Sequence, residues 1–348
     1  MADPTRVWRW ALATAVAGCL VAGLGIWQFD RYLDRPLALP EAGLPYDVRP
    51  GTAFSRIADD LAGQGVLEHP RLLRLHARLT GKAQAVHAGE YLFEPGLTPS
   101  SLLDKLVAGD VRLYAFTIVE GWTFRELLAA MESQPIVEST LSQEDWPRVL
   151  EELGAPYEHP EGLFLPETYR FPAFTRDIDV LRQAYGLMQQ ALAEEWEGRD
   201  ENLPISTPYE ALILASIIEK ETALASERVR ISGVFVRRLQ RKMRLQTDPT
   251  VIYGVGENFD GNLTRRHLRT DTPYNTYTRA GLPPTPIALP GRAAIHAALH
   301  PAPGSELYFV ATGLGDGSHK FSETRDEHDA AVREYLARQR AGRRQGGE

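Results

Sequence analysis

The stretch from Ser206 to Thr222, STPYEALILASIIEKET, decides how the rest of the chain is read. Thr207 is a natural N-cap, Pro208 suits the first helical position, and Glu210 completes a capping box. The helix that follows is apolar until it meets Glu219, Lys220 and Glu221. In helical steps, Glu219 lies with Ser216, Ala215 and Leu212, and Glu221 with Ile218, Ile217 and Leu214. A carboxylate beside an apolar face is costly to ionise, so its pKa is expected to rise. A general acid working near neutral pH requires that rise. By pattern alone Glu-Lys-Glu reads as a solvated helix tip, and periodicity does not choose between Glu219 and Glu221.

Outward from this helix, residues 177–196 form an amphipathic scaffold helix with Ile178, Leu181, Tyr185, Met188 and Leu192 on one stripe. On the other side, residues 227–241 read as a helix carrying Arg228, Arg230, Arg237 and Arg238. An arginine near Glu219 would oppose the raised pKa. LQTDPTVIYG, residues 245–254, reads as a turn ahead of a short strand, with Asp248-Pro249 as turn starter. HPEGLFLPETYRFP (159–172) is broken by three prolines and pinned by Phe164, Tyr169 and Phe171. DTPYNTYTRAGLPPTPIALP (271–290) has no regular period, and so long a loop in a compact domain is usually functional. Strands at 307–311 and 319–322 flank the hairpin turn GLGDG, and a helix at 326–337 closes the fold. His319 and His328 read as structural.

With 348 residues the chain has room for two or three small domains. A net charge of −8 argues against a nucleic-acid binder. Residues 10–29, WALATAVAGCLVAGLGIWQF, supply the ~20 apolar residues a membrane span needs. Trp8, Trp10 and Trp27 mark its ends, and Arg6 and Arg9 precede it, which places a short tail (1–9) in the cytoplasm. A cleaved signal peptide fits less well, because the exit QFDRYLDRP lacks small residues. The single cysteine, Cys19, lies inside the span, so no disulfide framework or cysteine metal site exists beyond it. Residues 30–45 are a Pro-rich linker. Residues 46–112 form a small α/β module in which strand, Pro-Gly turn, Thr cap (Thr52, Thr98) and helix occur twice, and 111–131 repeats the theme. The basic tail, 338–348, is expected to be disordered.

EKETA (219–223), ASER (225–228), FxxRL (235–239) and LQTDPTVIYG fall in one order. Together they resemble the signature of the endolytic murein transglycosylase, or YceG-like, family. EGLFLPETY (161–169) and YNTYxxxGLPPxPI (274–287) are similar to further blocks of that family. The resemblance runs from the membrane segment to Tyr335. It implies an α+β protein with an N-terminal transmembrane helix, a LysM-like domain (46–112) and a catalytic domain (113–337). It also implies a lytic transglycosylase that cuts peptidoglycan strands internally, with Glu219 as the catalytic residue.

As that resemblance implies, Glu219 would protonate the oxygen between MurNAc and GlcNAc, then accept the proton of the MurNAc C6 hydroxyl as a 1,6-anhydro ring closes. Glu221, Gln246, Asp248, Tyr274, Asn275, Tyr277, Glu167 and Tyr169 are the candidate sugar-binding residues, and Glu161 and Thr168 belong to the same candidate wall. No cofactor, metal or nucleic acid is expected. Glycan strands, the inner membrane and cell-wall synthesis proteins are the expected partners, with the catalytic part outside the cytoplasm. Two alternatives stay open: a hydrolase using water and a second carboxylate, Asp248 or Glu221, and a non-catalytic peptidoglycan binder.

Overall fold

The computed structural model describes residues 4–142 and 144–345. The chain divides into two compact units, residues 1–114 with 170–175, and residues 115–169 with 176–348. It is a mixed α+β protein in which each sheet, among the described residues, has two strands.

The first unit begins with α1 (Pro4–Leu33). From Trp8 onward this helix is long and apolar enough to cross a membrane, and its most apolar stretch is exposed. It is followed by β1 (Leu44–Val48), α2 (Phe54–Gly63), α3 (Pro70–Leu79), β2 (Gly89–Phe93) and α4 (Pro99–Ala108). The two strands pair antiparallel with Tyr46 opposite Tyr91. Phe54, Ile57, Leu61, Leu102, Leu103 and Leu106 close the core over them. The stretch expected to be a free linker instead belongs to this core: Leu33 is buried, Leu37 and Leu39 pack on it, and the Leu37 N–H donates to the Leu97 carbonyl at 2.8 Å. Thr98 caps α4 through a capping box. Thr52 does not cap α2, whose N-cap position is held by Ala53 without a side-chain bond.

The division between units falls within β3 (Leu113–Thr117), β5 (Thr168–Pro172) and β6 (Thr175–Arg176). Around these lie α5 (Phe124–Glu132), β4 (Val137–Glu138) and α6 (Trp146–Leu153). The Thr123 capping box starts α5 as expected. Next come α7 (Asp177–Glu197), α8 (Pro208–Glu221), α9 (Ala225–Gln240), α10 (Asp248–Val255), α11 (Arg265–Arg269) and α12 (Arg292–Leu299). The chain ends with β7 (Tyr308–Ala311), β8 (His319–Ser322) and α13 (Arg325–Gln345). Strands β7 and β8 form the expected hairpin. Helix α13 continues to Gln345, through a stretch expected to be disordered, while 346–348 lie outside the described residues.

The second unit is built round α8. All eight residues from Ala211 to Ile218 are buried, because α7, α9, α10 and α12 pack against it. A helix covered on several sides must be apolar on several sides, which explains the near-continuous apolar run. The Thr207 hydroxyl accepts from the Glu210 N–H, while the Glu210 carboxylate reaches back to the N–H of Ser206, one residue before the cap. LQTDPTVIYG departs from expectation: residues 248–255 are helical. Pro249 sits in the first turn, where its fixed φ and missing N–H cost nothing.

Candidate active site

Glu219 lies in the last turn of α8, and its side chain is only 6% exposed. Its Oε2 accepts the Gly291 N–H at 3.0 Å, and its Oε1 is 3.6 Å from Nη2 of Arg228 on α9. The same Nη2 is 3.7 Å from Oε2 of Glu120. Burial pushes the Glu219 carboxyl up. The Gly291 N–H opposes it, Glu120 adds to it, and Arg228 and Lys220 pull it down. Gly291 is the N-cap of α12, so the positive end of a helix dipole also faces this carboxylate.

Three chain segments meet here. The Gly121 N–H donates to the Leu289 carbonyl at 2.9 Å, the Leu289 N–H to that of Trp122 at 2.6 Å, and Lys220 Nζ to that of Gly121 at 3.1 Å. A Cβ at Gly291 would meet the Glu120 carboxylate, so any larger residue there requires the half-exposed Glu120 side chain to move. The buried Ser216 hydroxyl accepts the Ile287 N–H at 3.0 Å, tying the long 271–290 loop to α8.

Glu221, two residues on, faces different surroundings. Its carboxylate accepts the Thr247 hydroxyl. Burial raises its pKa to about 7, against the Thr247 hydrogen bond. Beside it, Asp248 Oδ1 accepts the Tyr277 hydroxyl at 2.6 Å. Gln246 has a left-handed backbone (φ 52°), and its N–H donates to the Thr276 carbonyl at 3.2 Å. The turn into α10 (residues 245–247), the start of that helix and residues 275–277 are thus tied together.

Asn275 is fully buried. Its amide donates to the carbonyls of His267, Leu268 and Thr270 and accepts the Tyr277 N–H. Its bidentate amide is therefore used in folding the loop. Tyr169 is 2% exposed, with its hydroxyl on the Leu165 carbonyl at 2.6 Å, so its ring faces the interior. Glu167 is exposed, and its carbonyl accepts the Ile118 N–H at 3.0 Å. His319 pairs through Nδ1 with Glu227 at 2.7 Å, and His328 stacks on Tyr308.

A cleft of about 1000 Å³ is lined by Phe124, His159, Glu161, Tyr253 and Tyr274 and reaches Lys220, the residue next to Glu219, but not Glu219 itself. Tyr274 packs edge-on against Tyr253, with 4.8 Å between ring centres. Glu161 is buried and accepts from the Phe124 N–H at 2.9 Å and the Tyr253 hydroxyl at 3.0 Å. Burial raises it to about 7. Glu120, Gly291 and Tyr253 were not singled out from sequence. The one local signal was Glu120-Gly121 ahead of the Thr123 cap, and nothing in it points toward Glu219.

The sequence pattern of the YceG-like family matches residues 46–334. The endolytic murein transglycosylase of Bacillus subtilis (strain 168) is 30% identical over 305 residues, 82% of this chain and 83% of that protein. The endolytic murein transglycosylase of Streptococcus pneumoniae serotype 2 (strain D39 / NCTC 7466) is 25% identical over 356 residues, covering 91% of this chain but 63% of that protein. The 2.6 Å crystal structure of a putative yceG-like protein, lmo1499, from Listeria monocytogenes superposes with a TM-score of 0.52 at 26% identity. It covers 84% of this chain and 99% of that one.

Proposed function

Because this chain belongs to the YceG-like family and is a lytic transglycosylase like its relatives named endolytic murein transglycosylase, we propose that Glu219 is its single acid–base group. One observation supports this above the others. The Glu219 carboxyl is buried enough for its pKa to rise, yet it is held by a helix N-terminus and an arginine that favour the anion. A group that must first give a proton and then take one back needs both forms within reach.

The protonated carboxyl donates to the oxygen between MurNAc and GlcNAc as that bond breaks. The carboxylate left behind is stabilised by the Gly291 N–H and Arg228. It then removes the proton of the MurNAc C6 hydroxyl, whose oxygen closes on C1 to give a 1,6-anhydro end. The nucleophile belongs to the same sugar, so its attack has the entropic advantage of an intramolecular reaction. Glu221 is sealed against Thr247 and is poorly placed to activate water. The cleft with Tyr253 and Tyr274 holds the glycan strand. Helix α1, compatible with a single-pass anchor, keeps the enzyme at the membrane with its catalytic unit outside the cytoplasm. There the first unit acts as a LysM-like glycan contact, and cutting sets the length of new strands beside cell-wall synthesis proteins.

The test is the full chain in detergent, incubated with purified peptidoglycan beside Glu219→Gln, with products identified by mass. Internal fragments with 1,6-anhydroMurNAc ends that vanish in the variant are expected. Reducing ends would mean hydrolysis, and equal cleavage by both proteins would remove Glu219 from the mechanism.

A further inference from the structure

Away from this site, the C-terminal turn of α12 carries His296, with His300 at its C-cap. The spacing of four places both rings on one face, and they lie with centres 4.3 Å apart at 32°. Across from them is the C-terminal turn of α7 with Glu195, followed by Asp200. His296 Nδ1 is 2.8 Å from Glu195 Oε2, and His300 Nδ1 is 2.9 Å from Asp200 Oδ1. Ligand atoms of Glu195, His296 and His300 fall within 4.8 Å of one another.

Neutral imidazole nitrogens and a carboxylate oxygen are donors for a borderline ion such as zinc, at about 2.0–2.2 Å each. Tetrahedral ligands on such an ion are about 3.3 Å apart, so the three groups must draw in. His296, 53% exposed, already meets the 17% exposed Glu195 carboxylate through Nδ1, so a small turn of the exposed ring is enough to bring the two onto one ion. Asp200 holds His300 by Nδ1 and so leaves Nε2 to face an ion, the arrangement in which a carboxylate orients a ligating histidine. The neighbouring Glu194 is occupied by Arg292 at 2.7 Å.

We propose that Glu195, His296 and His300 bind one divalent transition-metal ion of the zinc type, joining the end of α7 to the end of α12. The ion takes no part in the reaction. It sits at the opposite end of α12 from Gly291, about 12 Å of helix away, and its role is to fix that helix on its scaffold. Three protein ligands leave a fourth position for water.

The test uses the full chain without a histidine tag, stripped with EDTA in detergent. Zinc chloride is titrated by calorimetry, and cobalt(II) is added in parallel for its visible absorption. One ion per chain is expected, with binding at least tenfold weaker in both His296→Ala and His300→Ala and a tetrahedral cobalt band lost in both. The melting temperature should rise with zinc in the unaltered protein alone, and the metal-free melting temperatures should agree, showing that the variants are folded. Absence of binding at 1 mM zinc, or binding that neither substitution weakens, would overturn the site and leave two separate histidine–carboxylate pairs. Because the readouts are binding and melting, the result does not depend on the role of Glu219.

Discussion

Glu219 and Glu221 leave the same helix end, both partly buried and both raised in pKa, yet they meet two different regions. Glu221 enters a closed network: Thr247 donates to it, and Thr276 and Thr250 stand behind Thr247. Glu219 meets a backbone N–H at a helix start and one guanidinium shared with Glu120. The difference teaches that burial alone makes a reluctant carboxylate. An acid that can also act as a base needs groups ready to receive its negative charge, and the Glu219 region supplies a guanidinium at 3.6 Å, whereas Arg238 and His319 act on Glu221 without an ion pair to it among the described residues.

Removing the proton from each region breaks the comparison most sharply. Glu219→Gln is expected to lower the rate of glycan cleavage by about 10²–10⁴, the usual worth of a positioned acid–base group. Its melting temperature should be unchanged or higher, since a buried ionisable group is gone. A loss below tenfold would erase the distinction between the two regions.

Glu221→Gln should keep activity within tenfold, because the amide oxygen still accepts from Thr247. Its effect lies in stability. The folded pKa of about 7 stands above the ordinary 4.5. Between those values the native chain holds a proton that the unfolded chain has lost, so stability falls as pH rises and the loss is complete above about 7. The size is on the order of 1–3 kcal/mol. Glu161 titrates in the same direction, so unfolding of the single and double glutamine variants should be followed from pH 4.5 to 8. A slope unchanged in Glu221→Gln would show that its carboxyl is not held neutral.

Much of this region was legible in the sequence, and the reasons are local. An apolar run behind Thr207-Pro208 can only be a covered helix, and GLGDG between two short apolar runs is a hairpin. Residues 248–255 misled because Asp-Pro starts turns and helices alike, and only the packing of α10 on α8 decides between them. Asn275 and Tyr169 direct their polar groups to backbone carbonyls of their own loops, partners that a residue's type and spacing do not reveal. Gly291 reaches Glu219 across 72 residues of sequence, a meeting no spacing reveals.

That meeting is open to a smaller test. Gly291→Ala sets a methyl group against the Glu120 carboxylate, so Glu120 or the start of α12 must shift. Activity is expected to fall about tenfold, in keeping with the sensitivity of positioned groups to displacements near 1 Å. The fold should persist, because alanine accepts the extended backbone there (φ −75°, ψ 165°). Unaltered activity would show that the Gly291 contact does not position Glu219.

The finest comparison lies within the Glu219 region, where Arg228 and Glu120 act on one carboxyl with opposite signs. The high-pH limb of kcat/KM reports loss of the proton from the free enzyme's acid. Arg228 favours the anion, so Arg228→Gln should move that limb to higher pH. Glu120 disfavours it, so Glu120→Gln should move the limb to lower pH. The Glu120 shift is expected to be the smaller of the two, because Glu120 is half-exposed and water and salt screen its charge. Added salt should shrink the Glu120 shift more than the Arg228 shift, since Arg228 is 14% exposed. If both substitutions moved the limb the same way, the titrating acid would be some other carboxyl, and Glu161, raised by burial within the cleft, would be the first to replace by glutamine.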